Sequence, residues 1–195
     1  LQPNSTLLGS DNLADYGSDV GLNPFFPETI DPCLIYAKDC VDIRLGGDGA
    51  IVGHTGDTFT PPAGAQGRAR KERPMLIRFE NCSQISAADL SLKHCGSWCM
   101  HLKNSRDIFL RNIRITNEKQ DGFDLESCEN VSISDCHLEC GDDAIAITTS
   151  SREHPARNIT ITNCLMRSRW SAIRFGPLSR GDFENITVSN CVFYD

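Results

Sequence analysis

The chain has 195 residues, of which 23% are charged and 39% hydrophobic, with a net charge of -7 and a pI near 5.2. That acidic balance argues against nucleic acid as a partner, and no apolar run is long enough for a membrane span or a signal peptide. An anionic substrate stays open, because local Arg and Lys override a global balance.

In chain order, residues 1–32 read as an opening coil and a Gly/Pro-containing excursion, GLNPFFPETIDP. Residues 33–53 read as a coil ending in a Gly-rich turn, LGGDGAIVG. Residues 54–73 form a long polar loop whose basic run, Arg68, Arg70, Lys71 and Arg73, either meets an acidic polymer at a cleft rim or is simply solvated. From Pro74 onward the segments are short and regular. IRFENC, MHLKNS, FDLESC and IAITTS alternate apolar and polar residues, as do NVSISDC, NITITNC and NITVSNC. They suit strands, since none is long enough for a 3.6-residue period and Gly, Asn, Asp and Ser close each one. Neither end resembles a cap, so 1–195 is expected to be part of one longer solenoid domain.

The segments repeat. Ile77, Met100, Phe123, Ile145 and Ile173 align, and so do Ile85, Ile108, Val131, Ile159 and Ile186, at steps of 22, 23, 27 or 28 residues. A period near 22 built from strands predicts an all-β solenoid, a right-handed parallel β-helix, because parallel crossovers take that hand. One period in sequence then becomes one step between neighbouring strands.

Two further ladders fit stacking. Asn130, Asn158 and Asn185 share a register at a bend, where stacked amides hydrogen-bond from coil to coil; all three also match the N-glycosylation pattern, as do Asn4 and Asn81. Cys136, Cys164 and Cys191 share another, and Cys40, Cys82 and Cys128 recur before the second strand. Ten cysteines would ordinarily suggest disulfides. Their periodic placement instead predicts small buried hydrophobes. Cys95 and Cys99 flank a Gly-Ser-Trp turn, but no spacing resembles a zinc site.

The chemistry lies two residues before each first-strand anchor. Trp98, Asp121, Asp143 and Ser171 occupy equivalent places on successive coils, and Asp142 precedes Asp143. Parallel strands stack about 4.8 Å apart, so Asp121 and Asp143 come within reach of one water. Three carboxylates so close cannot all keep ordinary pKa values, and a raised acid beside ionised bases is what glycosidic hydrolysis needs. Arg174 is placed to meet a substrate carboxylate, with Arg169 and Arg180 as rivals. Trp98 offers a sugar-stacking face or a packing role. His101 is a candidate groove residue, Asp124 reads as a strand-face or turn residue and not a catalyst, and His154 lies in an inserted loop expected to overhang the cleft.

The run QDGFDLESCENVSISDCHLECGDDAIAI resembles glycoside hydrolase family 28, the polygalacturonase-like pectin hydrolases, in their NTDG(I/F)D…GDD signature. TLLGSDNLADY, GGDGAIVGH, RPMLIRFENC and the GSWCMHL segment also resemble family coils. The resemblance implies a right-handed parallel β-helix and a secreted or periplasmic, monomeric, inverting hydrolase of pectin-type acidic polysaccharide that needs no cofactor or metal. It also implies Asp142 as general acid, with Asp121 and Asp143 holding and activating water. The chain departs from the family twice. Trp170-Ser171-Ala172 replaces Gly-His-Gly, putting Ser171 at the His position, and the substrate-binding Arg-x-Lys is expected beyond Asp195. A divergent, exo-acting member is the expectation. A calcium-dependent β-helix lyase and a non-catalytic glycan-binding module are the alternatives.

Overall fold

The computed structural model describes residues 1–16, 32–55, 59, 73–117 and 120–195. Strand β1 (Thr6–Leu8) precedes a 3-10 turn at Leu13–Asp15. The coil of β2 (Cys33–Lys38), β3 (Val41–Gly46) and β4 (Ala50–Val52) follows. The next two coils are β5 (Met75–Glu80) with β6 (Ser83–Lys93), and β7 (Met100–Lys103) with β8 (Arg106–Asn117). Then come β9 (Phe123–Glu126), β10 (Glu129–Ser134) and β11 (His137–Cys140). The last two coils are β12 (Ile145–Thr148), β13 (Ala156–Thr162) and β14 (Leu165–Ser168), then β15 (Ile173–Phe175), β16 (Phe183–Ser189) and β17 (Val192–Phe193). The strands of each coil pair in parallel with those of the next, building a right-handed parallel β-helix. Most of the polar loop lies outside the described residues, including Arg68, Arg70 and Lys71; Arg73 is described and buried.

The period sets the register. Ile77 pairs with Met100, Met100 with Phe123, Phe123 with Ile145 and Ile145 with Ile173. Ile85 pairs with Ile108, Ile108 with Val131, Val131 with Ile159 and Ile159 with Ile186. These side chains fill one continuous column, and Ile77, Met100, Phe123 and Ile145 are each 0% exposed. At about 1.5–3 kcal/mol per fully buried aliphatic or aromatic side chain, stacking stabilises coils that alone bury almost nothing. The longer steps have a definite location. Extra residues 149–155 lie between β12 and β13, and 176–182 between β15 and β16, so the surplus length collects at one corner.

The corners are built from left-handed residues. Asp42, Gln84, Asp107, Asn130, Asn158 and Asn185 share one register, with φ between 52 and 60. Asn and Asp reach this region at least cost among residues with a Cβ. The predicted ladder is present. Asn130 Nδ2 donates to Asp107 Oδ1 at 2.9 Å, Asn158 to Asn130 at 3.0 Å and Asn185 to Asn158 at 3.0 Å. These Asn are exposed, not inward-facing, and each amide nitrogen is already engaged by its neighbour. Two more such ladders occur. One runs through Asp39, Asn81, Asn104 and Ser127, the other through Asp48, Asp89, Asn112, Asp135, Asn163 and Asn190.

Four of the six aligned cysteines pack as the periodicity predicts; Cys40 and Cys191 do not reach full burial. All ten are free; Cys82, Cys128, Cys136 and Cys164 are buried, while Cys40 is exposed and Cys191 intermediate. Burial pushes the Cys128 thiol up to about 12, which suits an inert core residue.

Candidate active site

The six-stranded sheet β2-β5-β7-β9-β12-β15 forms the floor of the site. Its anchors point inward, so the residues one and three places later point outward. The first outward row is Arg78, His101, Asp124, Ala146 and Arg174, and the second is Lys38, Glu80, Lys103, Glu126 and Thr148. From β7 onward these rows, together with the loops at Thr149–Ser150 and 176–180, line a cleft of ≈ 650 Å³. Trp98 and the three aspartates line it too.

The aspartates sit in the turns that lead into β9 and β12. Cys99 N donates to the Asp121 carbonyl at 3.1 Å, and Gly122 N to the Asp143 carbonyl at 2.9 Å, so consecutive turns are tied together. Buried Asn117 donates through Nδ2 to the carbonyls of Asp121 at 2.9 Å and Ser97 at 3.2 Å. Ser168 Oγ donates to the Asp142 carbonyl. Gly122 is required by close approach: a Cβ there would stand 2.5 Å from the Ala144 carbonyl and 2.9 Å from Cys140 Sγ.

One carboxylate oxygen from each of Asp121, Asp142 and Asp143 lies within 4.8 Å of the others. Asp121 and Asp143 are buried, at 7% and 4% exposure, and Asp142 is half-exposed. Asp143 N donates to Asp121 Oδ1 at 3.2 Å, and Arg174 NH1 donates to Asp143 Oδ2 at 3.2 Å. Burial first, then the charges of Asp142 and Asp143, push Asp121 up to about 7. The sequence argument expected one raised carboxyl among the three. Asp121 is a raised carboxyl because it is buried beside the charges of Asp142 and Asp143.

The other candidate residues separate cleanly. Trp98 lines the cleft but is 4% exposed, packed with Cys33 and Met75 and set edge-on to His101 at 5.0 Å. His101 lines the cleft wall, with Nε2 3.1 Å from Glu126 Oε2. Arg174 is in the cleft, paired with Asp143. Ser171 is not among the lining residues; its carbonyl accepts from Ala144 N at 2.9 Å. Arg180 lines the rim, whereas Arg169 and His154 do not line the cleft. Asp124 lies on the strand face, as expected, and also lines the cleft beside Asp121.

Lys103 and Glu126 went unread in the sequence. Lys103 Nζ stands 3.0 Å from Glu126 Oε1. Burial alone would raise Glu126, but the hydrogen bond from His101 and the positive charge of Lys103 outweigh it and hold the carboxyl at about 2. Burial lowers His101, so the ring is neutral at pH 7; its Nε2–H donates to Glu126, whose charge Lys103 meets. The signal was available: opposite charges recur three residues after successive anchors, at Lys38, Glu80, Lys103 and Glu126.

The family model for Glycosyl hydrolases family 28 matches residues 29–194. The chain belongs to this family. A probable polygalacturonase of Vitis vinifera is 28% identical over 171 residues, covering 82% of this chain and 34% of that protein. The chain therefore spans about a third of that relative's length. A hyperthermoactive exopolygalacturonase from Thermotoga maritima superposes with a TM-score of 0.81 at 20% identity, over 98% of this chain and 53% of its own. The family 28 exopolygalacturonase of Yersinia enterocolitica gives 0.81 at 18% identity, over 100% of this chain and 46% of its own. At such identities these likenesses support the fold. The family 28 chain thus carries its acidic trio on a fold shared with both exopolygalacturonases.

Proposed function

We propose that this family 28 chain carries the catalytic aspartates of a hydrolase that cleaves glycosidic bonds in a pectin-type acidic polysaccharide, with inversion. The observation that carries the reading is the convergence of Asp121, Asp142 and Asp143 oxygens within 4.8 Å of one another in a cleft. Asp142, the most exposed of the three, protonates the leaving glycosidic oxygen. Asp121 and Asp143, on adjacent coils, hold the attacking water between them. Two carboxylates on one water, with the acid beside them, suit direct displacement without a covalent sugar intermediate. Cationic Arg180 at the rim of the same cleft favours a substrate bearing carboxylates. Trp98 and His101 shape its wall. A wall polymer of this kind is met outside the cell, so a secreted or periplasmic location follows from the substrate.

A second reading has one observation in its favour: three carboxylate oxygens this close suit a hard divalent cation, as in a calcium-dependent lyase. The ion pair from Arg174 to Asp143 weighs against it, since that guanidinium already occupies one carboxylate.

The test is NMR-monitored digestion of homogalacturonan and rhamnogalacturonan by the full-length protein with chelator present, beside Asp142→Asn. The expected result is a product of inverted anomeric configuration and a loss of about 10²–10⁴-fold in the variant. Retained configuration would sink the inverting assignment. An unsaturated product formed only with added calcium would establish the lyase. Glycan binding that survives Asp142→Asn, with neither polymer cleaved by the parent, would identify a binding module.

A further inference from the structure

We propose that Arg174 is a positioning residue for the hydrolytic step, clamping Asp143 so that this carboxylate takes the proton of the attacking water. This rests on the hydrolase reading above and goes beyond it, because Arg174 entered as a candidate ligand for substrate carboxylate.

Three observations converge on Asp143. Its carboxylate is buried, 4% exposed, in a place where an ionised group needs a partner. Among the described residues its one side-chain hydrogen bond is from Arg174 NH1 to Oδ2 at 3.2 Å; Oδ1 is buried and accepts none. Arg174 is carried by β15, paired in register with Ala146 three residues past Asp143, so the cation comes from the next coil over. Arg174 is thus the group that makes an ionised Asp143 tolerable in this turn.

The neighbours complete the division of roles. Asp121 faces Asp142, Asp143 and Asp124, and among the described residues no ion pair reaches it; burial and the adjacent negative charges favour a proton on it. Asp142 is half-exposed, the one of the three that solvent reaches. Ser171, in the turn where a further polar side chain would be expected, does not line the cleft.

The step balances. A water oxygen bonds to the anomeric carbon as the bond from that carbon to the glycosidic oxygen breaks. The water's proton passes to the Asp143 carboxylate, and the leaving oxygen takes the proton of Asp142. Exchange with solvent then returns the proton to Asp142 and removes it from Asp143.

The experiment measures kcat and KM on the full-length protein for the parent, Arg174→Lys and Arg174→Ala, the last with and without guanidinium at low, non-denaturing concentration. Expected are a kcat lower by about 10²-fold in Arg174→Ala with KM within roughly threefold, a smaller loss in Arg174→Lys, and at least about tenfold recovery with guanidinium. A merely structural Arg174 would give a loss that guanidinium does not restore, which overturns the proposal. A raised KM at unchanged kcat also overturns it, and would make Arg174 a ligand of the substrate carboxylate. Both results leave the hydrolase reading standing. A parent that cleaves neither polymer removes the hydrolase reading first, and this one with it.

Discussion

Glu126 shows how single residues hold the cleft in shape. Its carboxylate is 6% exposed and takes hydrogen bonds from His101 and Lys103, which keep it ionised in spite of burial. Its folded pKa, about 2, lies below the ordinary 4.5, so the stability it contributes is fully present above pH 4.5 and is lost as pH falls through about 2. At 1.36 kcal/mol per unit the difference is about 3 kcal/mol. Glu126→Gln is therefore expected to destabilise the protein by about 3 kcal/mol in urea unfolding at pH 7, and by progressively less as pH approaches 2. A pH-independent loss would show that shape and not charge is what Glu126 supplies. Neither Lys103 nor Glu126 stood out in the sequence, because a charge three residues past an anchor looks like any solvated strand residue until the coils are stacked. The aspartates were legible because two of them share a register.

Among elements, the corner ladders do most to close the coils. Asn158 sits at φ 56, donates to Asn130 at 3.0 Å and accepts from Asn185 at 3.0 Å. Asn158→Ala loses both side-chain bonds and keeps a Cβ in the left-handed region, an expected cost of about 2 kcal/mol. Asn158→Gly loses the same bonds without the backbone penalty, so it should melt between the parent and the Ala variant. Equal melting of the two would mean that backbone conformation has no part in the effect. One ladder could be read from three spaced asparagines. The other two mix Asn with Asp, Ser or other residues, and only the φ angles reveal that they belong together.

In the whole molecule, the column behind the cleft couples the core to the site. Phe79, Leu102, Leu125 and Ile147 pair strand to strand, and each is buried to 1% exposure or less. Leu125→Ala removes the centre of that column, directly behind the strand that carries Asp124 and follows Asp121. The expected loss is about 2–5 kcal/mol in urea unfolding. A loss below about 1 kcal/mol would mean that the coils settle into the gap and that the column is less rigid than its burial implies.

By itself the sequence determined the period, the parallel β-helix, the inward cysteines and the meeting of Asp121, Asp142 and Asp143, because stacking turns a repeat in one dimension into neighbours in three. Tertiary structure alone decided that Asp121 is the carboxyl raised to about 7, since burial and neighbouring charge depend on what lies across the turn. It placed Arg174 on Asp143 and left Ser171 outside the cleft lining. It also assembled His101, Lys103 and Glu126 from two coils into one buried network. Register is a property of the chain; the electric field at a carboxylate is a property of everything packed around it.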